Sequence, residues 1–191
     1  MFRWISLLIF RWQGWKIDTN LPPNIKRCVM IAAPHTSNWD VFYTVAAFAK
    51  LKIPIKFTIK KEWTRFPFNF IFGSLAIAID RAKTKNEEQR KSKVTEMVEL
   101  FDKNPNELVI IITPEATRKR NEQWKTGFYQ VALQANVPIG LGYVDYKLKK
   151  AGIGGVIIPT GDIKADLAKV MAFYQTINAK HPKNFSIDTN Y

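Results

Sequence analysis

The side chains best suited to chemistry in this sequence are a histidine and an aspartate five positions apart, His35 and Asp40. A neutral imidazole can accept the proton of a hydroxyl group at one ring nitrogen. A carboxylate at the other nitrogen fixes the tautomer and stabilises the imidazolium that forms. The pair therefore predicts general-base catalysis, and a structural histidine beside a capped helix is the alternative interpretation.

The residues around this pair predict its place in the fold. An apolar run over 27–33 predicts a strand, and Pro34 disfavours continuing it. Residues 36–38 are all of types that precede helices, so a helix is expected to begin there. His35 would then lie in a strand-to-helix turn, at the sheet edge where α/β proteins usually place their sites, and Asp40 would lie in the first helical turn.

Two further strand exits carry charged residues. A turn containing Glu115 and Arg118 follows the predicted strand 107–113. Arginine offers a planar set of donors that matches phosphate oxygens, so this turn is a candidate anion site in which Glu115 would orient the arginine or receive a substrate hydroxyl. A solvated basic turn has the same composition. The strand predicted over 75–80 ends at an aspartate followed by Arg81, where a surface ion pair is the alternative.

The composition favours an anionic partner. The chain has 29 Lys and Arg against 16 Asp and Glu, which gives a net charge of +13. Such an excess attracts nucleic acid, an anionic membrane surface or a phosphorylated substrate. Aromatic residues, 13% of the chain, suit both a water–lipid boundary and single-stranded nucleic acid. Ten of the 25 cluster in 2–15 and 63–72, and the aromatic residues do not alternate with basic residues along a strand, so we expect no nucleic-acid partner.

The N-terminal segment predicts a short helix at a membrane interface. Its apolar run over 4–10 is flanked on each side by arginine and is too short to cross a bilayer, which needs about 20 apolar residues. No small-residue cleavage site follows, so a signal peptide is not expected. We therefore predict an interfacial helix over 1–13 and one domain over 14–191, with a helix packed on the protein's own core as the alternative.

The remaining sequence alternates between strand-like and helix-like segments. Short runs rich in Ile and Val, several of them apolar throughout, indicate strands that are covered on both faces. The alternation predicts an α/β fold with a mostly parallel or mixed central sheet of about seven strands flanked by helices. The predicted strands cover residues 15–18, 27–33, 55–60, 75–80, 107–113, 138–144 and 153–158. The predicted helices cover residues 38–51, 63–71, 86–103, 125–135 and 163–179.

In their order and spacing, these segments resemble the sequence blocks of lysophosphatidic acid and glycerolipid acyltransferases. That family carries a His-x-x-x-x-Asp block, a Gly…Arg block, a Pro-Glu-Gly-Thr-Arg block and a Val-Pro-Ile block. The likeness extends over roughly residues 14–145. The corresponding segments here are 35–40, 73–81, 114–118 and 137–139.

The resemblance implies a reaction and a site. An acyltransferase domain would move a fatty acyl group from a thioester, on coenzyme A or acyl carrier protein, to a hydroxyl of a lysolipid such as 1-acylglycerol 3-phosphate. His35 would deprotonate the hydroxyl, and Asp40 would hold His35. No metal or bound cofactor is implied, and the protein would be peripheral, at the cytoplasmic face of an anionic membrane. The residues that would bind the acceptor are Arg81, Glu115, Thr117 and Arg118.

The sequence leaves several alternatives open. Ala116 stands where the family has glycine; alanine is strained there if the position needs a positive φ, and narrows the site if the glycine lets a phosphate approach. The acceptor would alternatively be an amino-acid-containing lysolipid. A non-catalytic lipid-binding relative and a thioesterase, in which water replaces the lipid hydroxyl, are the other candidates.

Overall fold

The computed structural model describes residues 2–19, 25–60, 76–79 and 87–191. In this part of the chain, seven strands form one sheet, and five α-helices accompany it. The strands are β1 (Lys16–Ile17), β2 (Arg27–Ala33), β3 (Ile55–Lys60), β4 (Ala76–Ile79), β5 (Leu108–Ile112), β6 (Ile139–Asp145) and β7 (Lys150–Ile157). The helices are α1 (Phe2–Trp12), α2 (Trp39–Lys50), α3 (Glu87–Lys103), α4 (Gly127–Gln134) and α5 (Ile163–Tyr174).

The sheet is mixed, with parallel strands at its centre. The strand order is β1-β7-β6-β2-β5-β3-β4. Neighbouring strands are parallel except for β6 and β7, which are antiparallel and joined by a short turn over 146–149. The predicted α/β fold with a mostly parallel or mixed sheet of about seven strands is confirmed. Because β6, β2 and β5 are parallel neighbours, the residues that follow them meet at one edge of the sheet.

Helices cover both faces of the sheet, and the central strands send alternate side chains to each face. In β2, Val29 and Ile31 belong to the core cluster that includes residues of α3, α4 and α5. Cys28 and Met30 belong to the cluster on the other face, with Val45 and other residues of α2. A strand that is buried on both faces must be apolar throughout, which is the pattern that the sequence shows.

The predicted elements agree closely with the observed ones where the structure describes them. Each predicted strand is present, with ends that differ by at most three residues from those expected. The helix predicted over 163–179 ends earlier, at Tyr174. The helix predicted over 63–71 and the side chain of Arg81 lie outside the described residues.

Helix α1 has two apolar faces with different surroundings. Phe10 is buried and packs in a cluster with Tyr43 and other residues of α2. On the other face Trp4, Leu8 and Trp12 are 74%, 67% and 85% exposed. Among the helices of the described residues, none is both long enough and apolar enough to cross a membrane. The helix thus combines a core face with an exposed apolar face.

Candidate active site

The loop between β2 and α2 brings His35 and Asp40 together. His35 Nδ1 lies 3.5 Å from Asp40 Oδ2. The same carboxylate oxygen accepts hydrogen bonds from the backbone N–H groups of Thr36 and Ser37, each at 2.8 Å. Asp40 is buried, whereas the His35 side chain keeps 21% of its surface exposed. With Nδ1 directed at the carboxylate, Nε2 is the ring nitrogen left for a substrate hydroxyl.

Asp40, in the first turn of α2, binds the loop that leads into the helix. The helix begins at Trp39, and the side chain of Asn38 at the cap position makes no capping hydrogen bond. Instead, the Asp40 carboxylate turns back onto the two loop N–H groups that precede the helix. Ser37 contributes a bond of 3.2 Å from Trp39 N to its hydroxyl oxygen. The sequence around the histidine thus folds into a rigid turn because one carboxylate serves both loop and imidazole.

Glu115 supports this loop from the turn after the neighbouring strand β5. Its side chain is 1% exposed, and Oε1 accepts a hydrogen bond of 2.7 Å from the backbone N–H of His35. Burial raises the pKa of Glu115 to about 8; the His35 N–H lowers it, and the nearby Asp40 charge raises it. The sequence suggested a contact with the substrate, and the structure places Glu115 against the backbone of the candidate base.

An open cavity lies beside His35. Its volume is about 710 Å³, and the loop after β5 forms its other wall. Arg118 and Lys119 are exposed cations on this wall, and Thr117 turns its hydroxyl oxygen to the Lys119 N–H at 3.1 Å. Arg120 points elsewhere, because it pairs with Glu122 at 3.1 Å. The cavity is lined by His35, Ile112, Thr113, Ala116, Thr117, Arg118 and Lys119.

These cations could hold an anion, as the basic residues of this turn predict, although the resemblance does not place Lys119 among the acceptor-binding residues. Its signal in the sequence was the basic run over 118–120, of which the resemblance selected only Arg118. Within the residues that the structure describes, no group of three or more His, Cys, Asp or Glu side chains is placed to hold a metal ion. The two exposed cations give the cavity wall side chains of the type that bind anions.

Ala116 adopts the backbone conformation that glycine favours. Its φ is 57°, in the left-handed region, and its N–H donates to Thr113 O at 3.1 Å. Of the two reasons for a glycine that the sequence left open, the need for a positive φ therefore applies. Ala116 also lines the cavity.

Tyr146 is a further contact of the site that sequence reasoning missed. It is the first residue after β6, and its hydroxyl donates to Asp40 Oδ1 at 2.6 Å. The two residues are 106 positions apart, so no local pattern connects them. The one available signal was its position at a strand exit on the same sheet edge as His35.

Comparison with known proteins identifies the family. The family model described as Acyltransferase matches residues 16–140, which is more than half of the chain. The chain belongs to the acyltransferase family. The matched part of this acyltransferase includes His35, Asp40 and the basic loop after β5. A search of curated proteins finds no match to the sequence.

A solved structure supports the fold of this acyltransferase. The 1-acyl-sn-glycerophosphate (LPA) acyltransferase PlsC from Thermotoga maritima is similar to it, with a TM-score of 0.59 and 16% sequence identity. The likeness covers 91% of this chain and 75% of that one. At this identity the similarity establishes a shared fold.

Proposed function

We propose that this acyltransferase moves a fatty acyl group from a thioester, on coenzyme A or acyl carrier protein, to a hydroxyl of a phosphate-bearing lysolipid. The expected acceptor is 1-acylglycerol 3-phosphate. The observation that carries the proposal is the His35–Asp40 pair, with 3.5 Å between Nδ1 and Oδ2, beside a cavity that Arg118 also lines. Membership of the acyltransferase family supports the reaction type, and the cations of the cavity wall support the phosphate.

The proposed reaction uses His35 as base and then as acid. Nε2 of His35 takes the proton of the acceptor hydroxyl as the oxygen attacks the thioester carbonyl carbon. The carbon–sulfur bond breaks when the tetrahedral intermediate collapses, and the imidazolium returns the proton to the leaving thiolate. Asp40 holds the tautomer and stabilises the imidazolium in between. Two substrates held in this geometry react directly, so the proposal needs no acyl-enzyme.

The acceptor phosphate is proposed to bind at the basic wall of the cavity. Arg118 and Lys119 are exposed there, and neither makes an ion pair within the described part of the chain. An arginine fork binds two phosphate oxygens, and a neighbouring lysine adds charge. Thr117 lies on the same wall and remains a proposed acceptor-binding residue. Arg81 also remains a proposed acceptor-binding residue, on the basis of the resemblance alone. These cations are the basis for proposing a phosphate, and the amino-acid-containing head group that the sequence left open is the alternative that the assay tests.

The test is an acyl-transfer assay with purified protein. Acyl-CoA and acyl-carrier-protein donors are each supplied with and without 1-acylglycerol 3-phosphate, and the products are identified by mass spectrometry. The proposal expects a new ester that forms only when both substrates are present. Equal thioester loss without lysolipid would indicate a thioesterase, and binding without turnover would indicate a non-catalytic lipid-binding protein. Preference for an amino-acid-containing lysolipid would contradict the phosphate assignment.

We further propose that α1 is the membrane-interface helix expected over 1–13 and attaches the protein to an anionic cytoplasmic membrane face. Trp4, Leu8 and Trp12 recur every fourth residue and are exposed together. Arg3 and Arg11 are exposed beside them, and the whole chain carries a net charge of +13. Indoles suit the headgroup region, and arginines suit lipid phosphates. The exposed face of α1 is therefore suited to bind an anionic lipid surface.

The two faces of α1 provide the test of membrane binding. Replacing Trp4, Leu8 and Trp12 together by serine should reduce cosedimentation with anionic vesicles and leave the melting temperature nearly unchanged. Phe10→Ala is the control, since it removes a buried ring of the same helix and should cost about 3–5 kcal/mol of stability without removing the exposed face. Unchanged vesicle binding by the triple variant would overturn this part of the proposal.

A further inference from the structure

Tyr146 binds the side of the Asp40 carboxylate that faces away from His35. Its hydroxyl donates to Oδ1 at 2.6 Å, whereas Oδ2 is the oxygen that lies 3.5 Å from His35 Nδ1. We infer that Tyr146 is a positioning residue of this acyltransferase, which fixes the rotation of the Asp40 carboxylate so that Oδ2 stays directed at the imidazole. The inference rests on the proposed role of His35 as the base.

The carboxylate needs a second point of attachment. Rotation about the terminal bond of an aspartate side chain is soft, so hydrogen bonds decide its orientation. Oδ2 accepts from the N–H groups of Thr36 and Ser37 at 2.8 Å. Among the described residues, the hydrogen bond recorded on Oδ1 is the one from Tyr146. Since the distance from Oδ2 to the imidazole is already long, loss of the anchor on Oδ1 would leave the tautomer of His35 poorly held.

The surrounding structure holds the tyrosine ring in place. Its edge-to-face contact with Trp15 has a centroid distance of 5.1 Å, and that with Tyr43 has one of 5.7 Å. The ammonium nitrogen of Lys180 lies 5.9 Å from the ring centroid, and the backbone N–H of Tyr146 donates to Asn178 O at 2.9 Å. Because packing fixes both ring and backbone, the hydroxyl can impose its position on Asp40 rather than follow it.

The hydroxyl is a permanent donor. Burial raises the pKa of Tyr146 well above its usual value, and the charge of Asp40 and the hydrogen bond to it raise the pKa further. The group therefore stays protonated throughout the physiological range, and a protonated phenol beside an ionised carboxylate can only donate to it.

Strand β6, which ends just before Tyr146, offers a matched control. Tyr143 in β6 donates its hydroxyl to Asp18 Oδ2 at 2.8 Å. That carboxylate pairs with Lys150 at 3.0 Å. Removal of either hydroxyl by a Tyr→Phe change deletes a hydrogen bond to an aspartate and keeps the ring. Only the bond of Tyr146 leads to the candidate base.

The experiment compares these two variants in steady-state acyl transfer. Tyr146→Phe should lower kcat about 10- to 100-fold and change the KM of either substrate by less than about twofold, as expected for loss of a hydrogen bond to a charged group that positions the base. Tyr143→Phe should keep kcat within about twofold. In an Asp40→Asn background, Tyr146→Phe should cost less than about twofold more, because its partner carboxylate is already absent.

Three results would overturn the inference: wild-type kcat in Tyr146→Phe, a loss expressed only in KM, or an equal loss in Tyr143→Phe. Failure of the proposed function looks different, since the wild-type protein would then form no ester or His35→Ala would keep full activity.

A measurement on the wild-type protein does not depend on how the variants fold. The hydroxyl proton of Tyr146 should be visible by NMR as slowly exchanging, and should be lost in Asp40→Asn. A rapidly exchanging hydroxyl in the wild-type protein would contradict the inference.

Discussion

Two loops at the same sheet edge differ in which of their side chains are buried. The loop over 34–40, which follows β2, is fixed by hydrogen bonds to the buried Asp40 and Glu115 carboxyl groups. The loop over 113–120, which follows the adjacent β5, exposes Arg118 to the cavity. A base must be positioned before the substrate arrives, whereas an anion-binding side chain can order around its ligand. The loop over 34–40, called the rigid loop below, therefore holds its base in place. The loop over 113–120, called the adaptable loop, is anchored by Glu115 and leaves its exposed cationic side chains to order around a ligand.

The largest effect is expected at the centre of the rigid loop. Asp40→Asn replaces a carboxylate oxygen by an amide and favours the wrong tautomer of His35. In other His–Asp pairs such a change costs about 10⁴-fold, so we expect kcat to fall about 10³- to 10⁴-fold. The KM values should change little, and the melting temperature should drop, because loop N–H groups lose an ionised acceptor. A loss of less than tenfold would show that the carboxylate does not orient the base.

A smaller and more selective effect is expected in the adaptable loop. Arg118→Ala should raise the KM for 1-acylglycerol 3-phosphate about tenfold or more, since a charge-assisted contact contributes roughly 1.5–3 kcal/mol. The KM for the acyl donor and the melting temperature should be nearly unchanged, because Arg118 is exposed. Arg120→Ala is the matched control, because this arginine pairs with Glu122. Equal effects on an acceptor without phosphate would show that Arg118 does not recognise phosphate.

Glu115 tests how the rigid loop is supported. Glu115→Gln keeps a side-chain oxygen for the His35 N–H and should hold kcat within about threefold. Glu115→Ala leaves that N–H without its acceptor and should cost about 1–3 kcal/mol of stability together with a clear loss of kcat. Steady-state kinetics and urea unfolding of the two variants measure both effects. If the two variants were equally active, the hydrogen bond to His35 would not matter.

Glu115 should also make the stability of the folded protein depend on pH. The pKa of Glu115 is about 8 in the folded protein against a usual 4.5, so the folded state retains a proton that the unfolded chain has already released. The contribution to stability is therefore present below about pH 4.5 and is lost as the pH rises toward 8. Urea unfolding should show that the stability of Glu115→Gln relative to the wild type increases across this window. A stability difference between the two proteins that stays constant with pH would contradict this predicted pH dependence.

The smallest effect is expected from backbone strain in the basic loop. Ala116→Gly relieves the positive φ of 57° but adds flexibility to the unfolded chain, so we expect a gain of about 0–1 kcal/mol. Ala168→Gly, at an exposed position inside α5, should instead cost about 1 kcal/mol. Urea unfolding measures both changes. Equal destabilisation by the two substitutions would show that the left-handed conformation carries no strain.

Local patterns predicted the rigid loop but not its supports. The apolar run of β2, His35 and Asp40 all lie within 14 residues of chain. The strand, the turn and the first helical turn could therefore be predicted from one local pattern. The contact of Glu115 with His35 joins residues 80 positions apart, and depends on β2 and β5 being neighbours in the sheet. Strand order is a tertiary property that no periodicity in the sequence encodes.

The end of α5 shows the same limit at a smaller scale. The sequence predicted a helix to residue 179, yet α5 ends at Tyr174. The hydroxyl of Thr176 donates to Phe173 O at 2.7 Å, and Asn178 binds the Asp145 carboxylate at 2.9 Å. Such side-chain bonds compete with the helix, and the second of them involves a partner from β6 that the local sequence does not reveal.

The most direct test of the account is the acyl-transfer rate of His35→Ala measured beside that of His181→Ala. The chain has two histidines, and the side chain of His181 is exposed, with its backbone N–H donating to the Thr36 hydroxyl oxygen at 3.3 Å. We expect His35→Ala to remain folded and to form no measurable 1,2-diacylglycerol 3-phosphate from acyl thioester and 1-acylglycerol 3-phosphate, whereas His181→Ala keeps the wild-type rate. A folded His35→Ala protein that turns over at the wild-type rate would contradict the account.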